Sequence, residues 1–460
     1  MKARYPFLLS FLMILSLLGS FVKGGQAMTT EEEIKLGKKA LEEIGKQLEV
    51  VRDLSLQAFV NRVGQSLVNQ VGPTPFQFNF YVFKAPDPNA FAIPGGHIFV
   101  TTGLLNLTEN EPELAGVLGH EISHITGRHM IRMMEKSKPL SIVALAAMIA
   151  GAIAGGGGKA SQAAVAVSMA SAESMMLKYT REIEAEADQN SLHLMTKAGY
   201  DPQAMASFLK KMERYSLANV PKFPSHLMDH PTLENRVSLL ENLLSIEPKP
   251  LHPFLGIRHY RRIQTRAFVE EGDPSTVINQ FESLVKANPE DLDALFGLGL
   301  AFQKAGRLDK SIEILQLASQ SDSKDTDLQR ELGVSYFLAG RLDQAVQTLE
   351  PLSRNDDLKS VYFLGRSYQE KGDFDRALKL FLRVKREAEN FIDLYNNLGS
   401  VYGRVGDKGL SHFSFGRYFD LRGDKMNALL HYRTALGFLE GGSPERGEAQ
   451  RNIQELTQKK

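Results

Sequence analysis

From residue 272 onward the chain repeats itself. Glycines stand at 272, 306, 340, 372 and 406, at steps of 34, 34, 32 and 34. In the same period Leu298-Gly299, Leu332-Gly333, Leu364-Gly365 and Leu398-Gly399 each precede an aromatic: Phe302, Tyr336, Tyr368 and Tyr402. After each inter-helix glycine comes a second amphipathic run with a small residue near its middle, such as Ala345 in RLDQAVQTLE and Ala377 in DFDRALKLF. A period of that length holds two helices and a turn. One such pair cannot bury its apolar face alone, so successive pairs must stack into an all-α solenoid whose concave face suits peptides or partner proteins. The period slips at Gly423, half a step after Gly406, and EGGSP at 440–444 ends it before a polar last helix that reads as a cap. No catalytic constellation lies in this region.

The chemistry is written upstream. His120-Glu121-Ile122-Ser123-His124 falls in a stretch that reads as helix: Thr108 and Glu111 form a capping box, Pro112 follows early, and Leu114, Val117, Leu118, Ile122 and Ile125 supply an apolar stripe. Residues four apart share a helix face, so His120 and His124 present two imidazole nitrogens to one metal ion. Glu121, one residue round, reaches the water such an ion activates. This is the spacing of a zinc peptidase.

A catalytic zinc site needs a third protein ligand. The extended spacing HExxHxxGxxH would put a histidine at position 130, which is Met; His129 comes one residue early, about 100° round a helix. The other source is a carboxylate on a second helix. REIEAEADQNSLHLMTKAGY, residues 181–200, offers two registers of acids one turn apart, Glu182 with Glu186 and Glu184 with Asp188.

These motifs resemble the CAAX-prenyl-protease and HtpX-like family of zinc metallopeptidases, whose second motif, E-x-x-A-D, is matched by Glu184-Ala185-Glu186-Ala187-Asp188. The resemblance selects Glu184 as third ligand. It gives Asp188 the task of accepting the outer N–H of a liganding histidine, His120. His230-Pro231 and Arg236 in DHPTLENR match the family's H-P motif. They imply a catalytic His230, which either donates to the oxyanion in the transition state or fills the fourth zinc position at rest, and an Arg236 that supports the ligands. NAFAIPGGHIFVTTGLL, residues 89–105, is similar to the family's strand-turn-strand lead into the zinc helix. Its alternation suits a β-edge and Pro94-Gly95-Gly96 is turn chemistry. In the family this edge holds substrate backbone as an added strand. His97 on that strand, His129, His193 and His226 have no motif partner and stand outside the expected site.

The implied fold is an α+β zincin-like (gluzincin) domain, mostly helical with a small edge sheet, followed by an all-α solenoid of tetratricopeptide repeats. The implied chemistry is peptide hydrolysis with one Zn²⁺ per chain and Glu121 as general base.

Residues 1–27 read as a secretory signal: Lys2 and Arg4, an apolar stretch from Phe7 to Val22, then Gly25-Gln26-Ala27 as a small-residue cleavage site. An uncleaved anchor is the alternative. The chain carries 54 basic and 54 acidic residues; without Lys2, Arg4 and Lys23 the count is 51 against 54, a net of −3, which argues against nucleic acid as a partner. There is no cysteine, so no disulfide, thiolate ligand, lipid-bearing cysteine or cysteine nucleophile enters. Secretion without disulfides suits a bacterial periplasm.

Residues 140–154 are almost wholly apolar and run through Gly155-Gly156-Gly157-Gly158 into an Ala/Ser/Val-rich stretch ending at Ala172. The apolar run is shorter than the roughly 20 residues a span requires. It reads as a lid or hairpin between the two zinc-binding helices, with the glycines as its tip; peripheral contact with a membrane is the alternative. The expected division is a signal at 1–27, a peptidase domain at 28–250 and repeats at 257–460, joined near the prolines of KPLHPFLGI at 249–257. Family members with this order of parts imply an endopeptidase for unfolded or misassembled polypeptides in outer-membrane protein assembly and quality control, its repeats holding substrate or the assembly machinery. Two other readings fit the same parts: a chaperone or scaffold whose peptidase is latent, and a membrane-associated processing peptidase.

Overall fold

The computed structural model describes residues 28–45, 48–136, 170–217, 233–245, 257–354 and 357–458. The expected signal at 1–27, most of the 140–172 run, the linker at 249–256 and His230 lie outside them. The chain forms two compact units that part between Glu271 and Gly272, and the second also takes in Arg52–Ala58. Among the described residues no helix is long and apolar enough to cross a membrane.

The first unit contains α1 (Thr30–Gly45), α2 (Leu54–Val68) from Phe59 onward, β1 (Asn79–Phe83), β2 (Ala90–Ile93), β3 (His97–Thr101) and α3 (Thr102–Leu107). Then come α4 (Glu111–Thr126), α5 (His129–Lys136), α6 (Ala170–Lys197), α7 (Gln203–Leu217), α8 (Leu233–Leu244) and α9 (Ile257–Glu271). The sheet order is β1-β3-β2, with β1 parallel and β2 antiparallel to β3. Phe91 pairs with Phe99 and Ile93 with His97 across the antiparallel edge. Every residue of β3 is buried, as a central strand covered on both faces demands. The strand β3 that leads towards α4 is therefore not the edge; β2 is, and β1 is bridged on its outer side at Val50↔Phe83. The turn at Gly95 and Gly96 has φ of 86° and 98°, a region that penalises any Cβ, and a Cβ on Gly96 would also lie 2.3 Å from the carbonyl oxygen of Gln77.

The helix start differs from the expected one. Asn110 caps α4 by accepting from the Glu113 amide at 2.9 Å, and the Glu113 carboxylate accepts from the Glu109 amide at 2.8 Å. This is a variant of the capping box two residues later than Thr108/Glu111, with the return bond made to the residue before the cap. Tertiary partners decide it: the Thr108 hydroxyl donates to Leu104 O and meets the Tyr260 hydroxyl, while Glu111 is held by Arg62 at 2.7 and 2.9 Å and by Tyr200 at 2.9 Å.

The helix that follows the expected join at 249–257 packs on residues of the first unit. Tyr260 on α9 is buried with its ring edge-on to Phe59, and Gln264 donates to the carbonyls of Asn106 and Thr108 at 3.2 and 2.8 Å. Helix α9 thus packs in the first unit, and the second compact unit resumes at Gly272.

In the second unit, Gly306, Gly340, Gly372 and Gly406 each close a first helix with φ between 70° and 91°, the left-handed C-terminal stop that glycine supplies most cheaply. Aspartates open most of the helices: Asp291, Asp325, Asp357, Asp373, Asp407 and Asp424 each accept an amide of the first turn. Phe302, Tyr336 and Tyr368 are buried as the period requires, and the last helix, Pro444–Gln458, lays Ala449 and Leu456 on Phe413 and Tyr432.

Candidate active site

Two helices bring the site together, and small residues set how close they come. On α4, a Cβ on Gly119 would lie 2.6 Å from the Ser191 hydroxyl of α6, and the same hydroxyl donates to Gly116 O at 2.8 Å. At that spacing His120 and His124, one turn apart on α4, meet Glu184 of α6. Their Nε2 atoms are 3.0 Å apart; Glu184 Oε2 is 3.3 Å from His120 Nε2, and Oε1 is 3.6 Å from His124 Nε2. The three ligand atoms lie within 4.8 Å of one another.

Those separations bear on the metal. Ligand atoms about 2.0–2.2 Å from a tetrahedral zinc stand roughly 3.3–3.6 Å from one another, and the two imidazole nitrogens and the two oxygens of the Glu184 carboxylate approach at 3.0 to 3.6 Å, close to that spacing. Two imidazoles and a carboxylate are also the donor set that borderline-soft Zn²⁺ accepts. The residues fit the ion.

The second register, Glu182 with Glu186, does not face the histidines. Glu182 is exposed, whereas Glu184 and Asp188 are both buried. Asp188, with no exposed surface, accepts His120 Nδ1 at 2.9 Å and is forked by Arg236 of α8, Nη2 to Oδ1 at 2.7 Å and Nε to Oδ2 at 2.8 Å. Arg236 Nη1 is also 3.7 Å from Glu184 Oε2. Burial would raise the Asp188 pKa, but the Arg236 guanidinium and His120 outweigh it and bring it down to about 2. At His120 burial pulls the pKa down, and the hydrogen bonds and charges of Asp188 and Glu184 overcome this and push it up to about 10. The pocket thus asks for positive charge where the ligand atoms converge. Glu121 is buried beside His120, at 8% exposure. His230 is not among the described residues, although α8 begins three residues after it.

One neighbour escapes the motif reasoning. His129, 1% exposed, sets its Nδ1 2.9 Å from Nδ1 of His124, the atom facing away from the ligand cluster. Its Nε2 is 3.5 Å from Glu186 Oε1, near contact rather than a formed hydrogen bond, and Arg132 holds Glu186 at 3.0 and 3.2 Å. Burial lowers the His129 pKa, with Glu186 opposing only in part. His97 is remote in role: it is buried on β3 beside the Tyr81 hydroxyl at 3.1 Å.

Comparison with known proteins gives two kinds of match in the same order along the chain. Residues 54–244 match the family model described as Peptidase family M48, and residues 268–332 and 360–391 match Tetratricopeptide repeat models. The chain is similar to a beta-barrel assembly-enhancing protease of Yersinia pestis, 30% identical over 298 residues, covering 64% of this chain and 60% of the relative. It is similar also to the protein of that name from Escherichia coli (strain K12), 28% identical over 300 residues, with the same coverage. A mitochondrial metalloendopeptidase OMA1 of Schizosaccharomyces pombe is 28% identical over 186 residues, 40% of this chain and 52% of that one. The chain spans about 60% of the length of the bacterial relatives.

Proposed function

We propose, from the premise that the chain carries a peptidase domain of family M48 followed by tetratricopeptide repeats, that it is a zinc-dependent endopeptidase of unfolded or misassembled polypeptides. The observation that carries the reading is the convergence of His120, His124 and Glu184 at 3.0 to 3.6 Å. Zinc held there would polarise the scissile carbonyl and bring the pKa of water towards about 7. Glu121 takes the proton of the attacking water and hands it to the leaving amine. Asp188 fixes the His120 tautomer, and Arg236 keeps Asp188 ionised and in place. Among the described residues no strand pairs with the outer side of β2, an edge suited to an extended peptide laid alongside as a further strand, which selects unfolded segments over folded ones.

The relatives named beta-barrel assembly-enhancing protease favour a place in outer-membrane protein assembly, with the repeats holding substrate or assembly machinery, and the signal-like residues 1–27 favour the periplasm. The test is a set of variants of the full chain. Glu121→Gln is expected to keep zinc and lose casein hydrolysis; Glu184→Gln is expected to lose zinc and Glu182→Gln to keep it. Zinc loss in Glu121→Gln, or normal zinc in Glu184→Gln, would refute these roles.

A further inference from the structure

The chain leaves helix α4 in an unusual way. Gly127 has ordinary right-handed angles, yet a Cβ there would lie 2.2 Å from Nε2 of His129, so the position is glycine to make room for that ring. Arg128 follows with φ of 49°, the one left-handed non-glycine residue among those described. Such a conformation is strained for an L-residue and persists only where the surroundings impose it. Here they do: Arg128 Nε donates to the buried Glu33 carboxylate at 2.7 Å, and Nη2 donates to Met28 O at 2.7 Å. The left-handed step reverses the chain so that His129, the first residue of α5, folds back onto α4. Its ring stands edge-on to that of His124, centroids 5.0 Å apart.

We propose that His129 is a positioning residue for the metal ligand His124. The proposal rests on the zinc reading of the site. With Nε2 of His124 turned to the metal, its proton sits on Nδ1 and is donated to Nδ1 of His129, 2.9 Å away. His129 then carries its own proton on Nε2, directed at Glu186. The two ligand histidines are held differently: His120 by a carboxylate that Arg236 neutralises, His124 by a neutral imidazole whose far side faces a carboxylate on the same helix as Glu184. Glu33 of α1 acts at one further remove, through Arg128, on the orientation of that imidazole.

Leu and Asn have the same branching, so both remove the far half of the His129 ring, and only Asn keeps a hydrogen-bond acceptor at the place of Nδ1. In the full chain, His129→Leu is expected to raise the zinc dissociation constant, read by competition with a chelator, about 10–100-fold, and His129→Asn to stay within about threefold of wild type. The visible spectrum of the cobalt(II)-loaded protein is expected to shift in His129→Leu and not in His129→Asn. Gly127→Ala, which drives a methyl into the ring with His129 intact, is expected to weaken zinc as His129→Leu does, and it decides the matter should His129→Leu not fold. Wild-type affinity and spectrum in both His129→Leu and Gly127→Ala would overturn the proposal, as would equal losses in His129→Leu and His129→Asn, the mark of packing alone. A wild-type chain that binds no zinc would overturn the metal reading itself.

Discussion

Removing both members of the Asp188–Arg236 pair is expected to unsettle the site less than the two single losses added together. Asp188 has no exposed surface and Arg236 is 8% exposed, and two hydrogen bonds of 2.7 and 2.8 Å join them. Unit charges about 4 Å apart at an effective dielectric near 20 attract by about 4 kcal/mol. A buried charge stripped of its partner costs about 3–5 kcal/mol, because desolvation remains and the attraction is gone. Asp188→Asn leaves the guanidinium in that state, eased by Glu184 at 3.7 Å; Arg236→Leu leaves the carboxylate so, with only His120 to answer it. Each single change should cost about 3–5 kcal/mol in the metal-free protein, and the double change about 2–3 kcal/mol less than the sum of the two. Amide hydrogen exchange of peptides from α4 and α6, in chelator, reads the opening free energy of this core without requiring the two units to unfold together. Additivity within about 0.5 kcal/mol would refute the pairing as the reason these charges are tolerated inside.

Two further outcomes follow from individual histidines. Burial, with Lys38 adding repulsion, brings the pKa of His97 down to about 4 from an ordinary 6.5. The unfolded chain therefore binds a proton that the folded one refuses between those values, and stability present in full above pH 6.5 is lost on descending towards pH 4, by up to about 3 kcal/mol; melting temperatures of His97→Gln should fall less than wild type over that window, and parallel curves would sink the assignment. His230→Ala separates the two roles by sign: proteolysis rises if His230 caps the metal at rest and falls about 10²–10³-fold if it donates to the oxyanion, while an unchanged rate removes it from the site.

The sequence made legible whatever depends on period alone. The 34-residue spacing put Gly306, Gly340, Gly372 and Gly406 at the left-handed ends of helices, and the four-residue spacing put His120 and His124 on one face. What it left open turned on partners distant in sequence. Thr108/Glu111 and Asn110/Glu113 are equally good capping boxes, and only Tyr260, Arg62 and Tyr200 decide between them. The registers Glu182/Glu186 and Glu184/Asp188 differ by about 200° round a helix, and spacing alone does not say which side faces α4. His129 was out of reach for a plainer reason: a register counted along an unbroken helix puts it on the wrong side. The break that corrects this is enforced by Glu33 and Met28, about a hundred residues earlier.

Side-chain length explains why the two acids on α6 are Glu and then Asp. Glu184 and Asp188 stand one turn apart on the same face, yet one must reach the Nε2 side of the histidine pair and the other the Nδ1 side of His120. With Gly116 and Gly119 letting α4 lie against Ser191, the backbones are close enough that the extra methylene of Glu184 carries its carboxylate to the far side of the ring, 3.3 Å from Nε2. Asp188, one methylene shorter, stops at Nδ1 and is met from behind by Arg236. Exchanging the two acids is expected to draw the carboxylate away from His120 Nε2 and press the longer side chain on the Arg236 guanidinium. The motif's order of acids thus records the spacing of the helices as much as the chemistry of the ion.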